Sequence, residues 1–266
     1  MYKRQAICLS AVVVALVLFS PNLILNTFVF LLSLALFFEW MKVSKASRKK
    51  KIIFLLLFSS LICCILGFGA LLEPIPIITM LGITVWIVIA FQIFFREGRL
   101  SSSFSFTNFW IGLILISTFC LTCFQFVNGS RLFLLIAIFN VAIFDSGAYI
   151  IGKNFGKNSF LPELSPNKTI EGLIGGLASS IVFVTLLYIL IEEVSLKASI
   201  ALMLSIPFAL CGDYFFSFLK RKANIKDTGS ILPGHGGLLD RVDSHLAAIP
   251  MTAFFSHLLY MLGSYF

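Results

Sequence analysis

Long apolar segments alternate with short polar breaks along almost the whole chain. About 20 consecutive apolar residues in a helix cross the hydrocarbon core of a bilayer, so each segment predicts one transmembrane helix. The pattern therefore predicts an all-α, polytopic integral membrane protein in which about nine helices form a single domain, residues 1–266. The predicted helices cover residues 5–20, 23–41, 52–72, 75–95, 109–127, 132–151, 170–191, 198–219 and 246–263.

The composition supports the same class. Hydrophobic residues make up 59% of the 266 residues and charged residues only 12%, whereas soluble domains carry roughly 25% charged residues. The net charge of +8 would favour nucleic acid as the partner of a soluble domain. No polar segment is long enough to form such a domain, so no nucleic-acid partner is expected. The six cysteines lie in apolar runs, which predicts helix packing rather than disulfides.

The distribution of basic residues predicts the topology. With a cytoplasmic N-terminus and nine helices, 18 of the 20 Lys and Arg residues fall on one side, and only Arg131 and Lys197 on the other. Because Lys and Arg accumulate in cytoplasmic loops, that side is predicted to be the cytoplasm. The first segment resembles a signal peptide, but a turn at Pro21-Asn22 and a second apolar run predict an uncleaved helical hairpin.

A basic, glycine-containing stretch from Ser217 to Asp243 is the main exception to the apolar pattern. Just before it, Asp213 shares a helical face with Ser217, Lys220 and Arg221. A carboxylate inside a membrane span is costly, so it usually faces a polar cavity or a charged partner. The alternative for Asp213 is a structural salt bridge to Lys220 or Arg221.

The end of this stretch offers further ligand groups. Asp240 and Asp213 together are able to hold a divalent cation, since Mg²⁺ often shares one or two carboxylates with a substrate phosphate. The glycines of residues 233–237 let the backbone approach a ligand and offer N–H groups to an anion. An ordinary flexible turn is the alternative, and His235 alone is more typical of a structural hydrogen bond.

Two further polar clusters fall on the predicted cytoplasmic side. Lys168 precedes a helix for which Pro166 and Asn167 suit the start, and it is placed to reach a phosphate at the helix N-terminus. A capped helix with a snorkelling lysine is the alternative. Gly172 begins a set of glycines, with Gly175 and Gly176, that allows close helix packing and permits a homodimer. Asp145 has three alternatives: it lines a cavity, binds metal, or pairs with Lys153 or Lys168.

The clusters together indicate one site in the predicted catalytic part of the chain, residues 131–266, after the five N-terminal helices of residues 1–130. Many cations with few acids predict a multiply phosphorylated substrate and a divalent metal. Glu39 and the basic run Lys42–Lys51 are set apart from this site. The run is predicted to determine topology and to contact anionic lipid.

The polar residues also form one ungapped motif: Ser217, Lys220, Arg221, Lys226, Asp227, Pro233, His235, Gly236, Gly237, Asp240, Arg241 and Asp243. This motif resembles the signature of the phosphatidate cytidylyltransferases, also called CDP-diacylglycerol synthases. The segments Asp145–Tyr149 and Leu164–Gly172 resemble the same family, so the resemblance covers residues 145–250. One position departs from it: Phe216 stands where family members commonly have an acidic residue.

The resemblance implies that CTP and phosphatidic acid react to give CDP-diacylglycerol and pyrophosphate, with Mg²⁺ as cofactor, alone or with a second cation. It also implies a multi-pass protein of the bacterial inner membrane, with membrane lipid as partner and the active site facing the cytoplasm. The implied catalytic residues are Asp213, Asp240, Lys220, Arg221, Lys226 and Arg241, and the metal ligands are Asp213, Asp240 and Asp243. The implied substrate-binding residues are Lys168, Ser165, Ser217, Asp227, His235, Gly236, Gly237, Asp145 and Tyr149.

Other functions are compatible with the same residues. A CTP-dependent lipid or polyprenol kinase, or a cytidylyltransferase for another lipid phosphate, would need similar phosphate-binding groups. A transporter for an anionic solute is the alternative from a different class. The polar groups gather at one face rather than at the midplane, and no second half repeats the pattern, which favours the enzyme.

Overall fold

The computed structural model describes residues 14–72, 74–95, 100, 101, 103–162, 165, 168–229 and 236–263, and their side chains except those of 64–72 and 74–76. These ranges contain no β-strand, and an isolated antiparallel bridge joins Ser159 to Thr169. The described part of α1 is residues 14–19. It is followed by α2 (Asn22–Val43), α3 (Arg48–Leu72), α4 (Pro74–Phe95), α5 (Phe109–Gly129), α6 (Arg131–Phe155), α7 (Ile170–Leu190), α8 (Leu196–Lys222) and α9 (Leu239–Gly263).

The all-α prediction is confirmed, and most helix bounds lie within a few residues of the apolar segments. Within the described ranges, seven helices are long and apolar enough to cross a membrane, namely α2 and α4 to α9. The chain is therefore a multi-pass membrane protein. The side chains of residues 64–72 in α3 and all of residues 1–13 lie outside the described part. The count of nine spans and the N-terminal hairpin thus stay predictions.

Hydroxyl side chains begin several helices. The Ser130 hydroxyl accepts a hydrogen bond from the N–H of Phe133 at the start of α6, and Thr169 does the same for Gly172 at the start of α7. Each satisfies a first-turn donor that has no partner within its helix. The start of α7 at Ile170 confirms the predicted segment 170–191. Residues 166 and 167, which suit a helix start in the sequence, lie outside the described part.

The second half of the chain folds as two hairpins, in which α6 packs along α7 and α8 packs along α9. The predicted close packing of the α7 glycines is confirmed. A Cβ atom on Gly175 would overlap Ile151 of α6, and one on Gly176 would overlap Phe144. These glycines therefore pack against α6 of the same chain. The homodimer stays a prediction.

Aromatic side chains connect the N-terminal helices to α8. The Phe216 side chain is only 1% exposed and meets the Trp40 ring edge-on, with the centroids 6.1 Å apart. The Trp40 indole N–H in turn donates to the carbonyl of Phe106, at 2.9 Å. The residue that departs from the family pattern therefore belongs to an aromatic core, which holds α8 against α2 and the connection before α5.

Candidate active site

A cavity of about 830 Å³ lies between the two hairpins. It is at the end of the helices where α6 and α8 finish and where α7 and α9 begin. The structure thus brings the three polar clusters of the sequence to one place. The cavity is lined by Phe144, Asp145, Ala148, Tyr149, Gly152, Lys153, Phe160, Ser165, Lys168, Thr169, Gly172, Leu173, Leu210, Asp213, Tyr214, Lys220, Asp240, Arg241, Asp243 and Ser244.

One charged pair crosses from the first hairpin to the second. Lys168, just before α7, forms an ion pair with Asp213 of α8. The Lys168 ammonium also lies over the ring of Tyr214, 4.4 Å from the ring centroid, a distance typical of a cation–π contact. The two paired side chains keep 27% and 31% of their surface exposed, although the Lys168 nitrogen itself is enclosed.

A second charged pair joins the two helices of the α8–α9 hairpin. The Lys220 ammonium lies 2.8 Å from Asp240 Oδ1. The other oxygen, Oδ2, accepts hydrogen bonds from the Thr228 N–H at 2.8 Å, the Thr228 hydroxyl at 3.0 Å and the Gly237 N–H at 2.9 Å. Both oxygens of Asp240 therefore accept hydrogen bonds from groups of the protein, four bonds in all.

The alternative of a salt bridge from Asp213 to Lys220 or Arg221 is wrong. Lys220 is seven residues along α8 from Asp213, which corresponds to about 10 Å of helix. The ammonium of Lys220 turns to α9 and pairs with Asp240, and Asp213 takes its cation from the other hairpin, as Lys168.

Three carboxylates occupy the inner wall of the cavity. Asp145 of α6 and Asp243 of α9 each lie close enough to Asp213 for their negative charges to interact. Asp243 is 9% exposed, and its Oδ1 accepts the N–H of Ser244 at 2.8 Å. Of the three alternatives for Asp145, the structure confirms that it lines the cavity.

The cavity has as many acids as cations, contrary to the excess of cations expected from the sequence. The four acids are Asp145, Asp213, Asp240 and Asp243, and the four cations are Lys153, Lys168, Lys220 and Arg241. A nucleoside triphosphate carries several negative charges, so this balanced wall needs an additional cation to receive one. The expected excess is wrong because three of the basic residues at or after the end of α8, Arg221, Lys222 and Lys226, do not line the cavity.

The carboxylates of the cavity wall suit a Mg²⁺ ion that is bound jointly by the protein and the substrate. In the described ranges, no group of three or more His, Cys, Asp or Glu side chains converges closely enough to hold a metal ion alone. Mg²⁺ is commonly held by one or two carboxylates together with water and substrate phosphates. The arrangement at Asp213 therefore suits a metal that arrives with a nucleotide rather than a closed protein cage.

Several residues implied by the family resemblance lie beside the cavity rather than on its wall. Ser217, Arg221, Lys226, Asp227, Gly236 and Gly237 are absent from the lining, and His235 lies outside the described residues. Gly236 has φ of +83°, which favours glycine. Gly237 gives its N–H to Asp240 instead of a ligand. This glycine turn therefore positions Asp240.

Some residues of the site were not predicted as such, among them Lys153, Tyr214 and Thr228. Lys153 lines the cavity at the end of α6, and Tyr214 lines it beneath Lys168. Thr228 is 4% exposed and supports Asp240 through two hydrogen bonds. A cation one turn beyond Tyr149 marks Lys153 in the sequence, whereas nothing in the local pattern marks Tyr214 or Thr228.

The chain is similar to a known protein family. The sequence model of the cytidylyltransferase family matches residues 4–259. The chain belongs to the cytidylyltransferase family. The match extends through the N-terminal helices and the two hairpins, and it ends at residue 259, near the end of α9.

Individual members of the family are similar over a shorter segment. A phosphatidate cytidylyltransferase of Bacillus subtilis (strain 168) is 43% identical over 113 residues, which are 41% of this chain and 42% of the relative. One of Staphylococcus haemolyticus (strain JCSC1435) is 42% identical over 122 residues, 45% of this chain and 46% of the relative. The similar segment thus spans less than half the length of these relatives.

Proposed function

We propose that this cytidylyltransferase-family member is a phosphatidate cytidylyltransferase. An oxygen of the phosphatidic acid phosphate attacks the α-phosphorus of CTP, and the bond from that phosphorus to the bridging oxygen of the β-phosphate breaks. Pyrophosphate leaves, and CDP-diacylglycerol remains. The names of the relatives and the sequence motif support the choice of substrates.

The observation that carries the proposal is the position of the two charged pairs, Lys168–Asp213 and Lys220–Asp240, on the wall of one cavity at the end of the bundle. Such pre-positioned cations stabilise negative charge that develops on transferred phosphates. No side chain is needed as a strong base, because a phosphate monoester is already largely ionised near neutral pH. The attacking group is thus supplied by the lipid.

Four basic side chains of the cavity wall are placed to bind the phosphates of the substrates. Lys168 and Lys220 are held by carboxylates, so their ammonium groups are oriented before substrate arrives, which lowers the entropic cost of binding. Lys153 and Arg241 lie on the same wall from α6 and α9. We assign the four cations to the phosphates of CTP and of the lipid. Ser165 and Tyr149 lie on the same wall, and we assign them to substrate as well.

The carboxylates divide into two roles. Asp240 already accepts hydrogen bonds from Lys220, Thr228 and Gly237, so we assign it to orienting Lys220. Asp213 and Asp243 are the carboxylates that would hold Mg²⁺, alone or with a second cation. When bound, the metal would neutralise phosphate charge and polarise the phosphoryl oxygens.

The proposed reaction also indicates on which side of the membrane the active site lies. CTP is a nucleotide of the cytoplasm, so we place the charged wall of the cavity at the cytoplasmic face of a bacterial inner membrane. Phe144, Leu173 and Leu210 supply apolar surface to the same cavity. They allow the lipid phosphate to reach the charged wall while the acyl chains stay in the bilayer.

The proposal is tested by pyrophosphate release from purified protein. CTP, Mg²⁺ and phosphatidic acid together are expected to release pyrophosphate, and omission of the lipid or addition of EDTA is expected to abolish it. Replacement of phosphatidic acid by diacylglycerol is the matched control, since it lacks the attacking phosphate. Equal release with and without phosphatidic acid would contradict the proposed nucleophile.

A further inference from the structure

Glu39 is a buried acid on α2 that lies outside the cavity wall. Its side chain is 0% exposed, and Oε2 accepts a hydrogen bond from the N–H of Leu239 at 2.8 Å, across 200 residues of sequence. Leu239 is the first residue of α9. The N–H groups of a first helical turn have no acceptor within their own helix. Glu39 therefore caps α9 from a different helix, with a negative charge at the positive end of the helix dipole.

The second oxygen of Glu39 lies against the two backbone segments that hold Asp240. A Cβ atom on Gly229 or on Gly237 would overlap Glu39 Oε1. Gly237 and Thr228, the neighbour of Gly229, donate their N–H groups to Asp240 Oδ2. The backbone at Thr228–Gly229 and the backbone at Gly237 thus lie between two carboxylates, Glu39 on one side and Asp240 on the other.

We propose that Glu39 is a positioning residue for Asp240, and through it for Lys220. The Glu39 carboxylate fixes the start of α9 and the backbone at Gly229 and Gly237. Asp240 then meets its three donors and directs the Lys220 ammonium to the cavity. A leucine or methionine would fill the same volume without the cost of a buried carboxylate in a membrane helix. The acid therefore serves the geometry of the turn rather than the packing of α2.

The geometric part of the proposal is independent of any substrate and is tested by hydrogen–deuterium exchange of the purified full-length protein. Glu39→Ala is expected to speed exchange at the Leu239 and Gly237 amides at least tenfold. Exchange in the middle of α8 is expected to stay unchanged. Glu39→Gln retains a carbonyl oxygen that can accept from Leu239, so its exchange is expected to stay close to wild type. Ser33→Ala is the matched control, because Ser33 is also buried on α2 but its hydroxyl donates to Val29 of its own helix rather than contacting α9.

Two exchange results would overturn the proposal. One is native exchange at Leu239 and Gly237 in Glu39→Ala. The other is a uniform increase over all helices, which would show that Glu39 stabilises the whole fold rather than this turn.

The catalytic part rests on the proposed function and is tested by kinetics. Glu39→Ala is expected to lower kcat at least tenfold while KM for CTP changes less than threefold, and Glu39→Gln is expected to restore most of the loss. Because Glu39 acts through Asp240, the double variant Glu39→Ala/Asp240→Asn is expected to be no slower than Asp240→Asn alone. Losses that multiply would refute this coupling. If the wild-type protein makes no CDP-lipid at all, the proposed function fails, whereas the exchange result for Glu39 still decides its positioning role.

Discussion

Lys220 of α8 and Asp240 of α9 form an ion pair of 2.8 Å whose side chains are only 15% and 9% exposed. Three further donors from Thr228 and Gly237 converge on the second oxygen of Asp240. This single carboxylate therefore ties together the end of one helix, the glycine turn and the start of the next helix. It also fixes the direction of a cation on the cavity wall.

Asp240→Asn is expected to be strongly damaging, although it preserves shape. The amide presents N–H donors at one end, so it faces either the Lys220 ammonium or the backbone donors with a donor of its own. Removing one partner of a buried ion pair costs about 3–5 kcal/mol, and we expect a lower thermal midpoint together with a roughly 100-fold lower kcat. Thermal unfolding in detergent and steady-state kinetics measure the two effects. Near-native values of both would show that this network is dispensable.

The ring of Tyr214 is expected to matter more than its hydroxyl. Tyr214→Phe keeps the face beneath the Lys168 ammonium, whereas Tyr214→Leu removes it. A cation–π contact of about 0.5–2 kcal/mol predicts that the leucine variant binds CTP roughly 2 to 30 times more weakly, with the phenylalanine variant close to wild type. Titration calorimetry with CTP compares them. Equal weakening in both variants would assign the effect to the hydroxyl.

Lys153 is expected to contribute to nucleotide binding, whereas Lys157 is not. The two lysines are one helical turn apart in sequence, and only Lys153 lines the cavity. We expect Lys153→Ala to raise KM for CTP by roughly tenfold, the scale of one charge-assisted hydrogen bond. Lys157→Ala provides the control and is expected to change KM less than twofold. A larger effect at Lys157 than at Lys153 would reject the cavity as the nucleotide site.

The apolar pattern was sufficient to locate the helices, but not the start of α9. The predicted segment 246–263 begins seven residues after Leu239, where the helix starts. Asp240 and Asp243 lie in the first turns, and their charges lower the local hydropathy although the backbone is helical. The polar residues that shorten the apparent span are those that face the cavity.

The polar clusters and the family motif indicated the site, but not its pairing. Asp213 shares a helix with Lys220, so a local partner was the natural alternative. The observed partner, Lys168, comes from another hairpin, and Lys220 turns to Asp240. Such pairs depend on how α7, α8 and α9 pack, and the same is true of Glu39, whose acceptor role depends on a contact across 200 residues.

The metal requirement is expected to depend on Asp213. Asp213→Asn removes one proposed carboxylate ligand. We therefore expect it to raise the Mg²⁺ concentration needed for half-maximal rate by at least about tenfold. Excess Mg²⁺ is then expected to recover part of the activity. Glu192→Gln, which neutralises an exposed acid in the connection after α7, controls for the loss of negative charge. An unchanged Mg²⁺ dependence in Asp213→Asn would exclude this carboxylate as a ligand.

The central claim is nucleotidyl transfer, and its most direct test is the fate of individual CTP phosphates. Purified protein is incubated with phosphatidic acid, Mg²⁺ and CTP labelled either on the α- or on the γ-phosphate, and the lipid is extracted. We predict that the α-label enters the lipid as CDP-diacylglycerol and that the γ-label leaves entirely as pyrophosphate. Transfer of the γ-label to lipid, with release of CDP, would contradict the account and identify a CTP-dependent kinase.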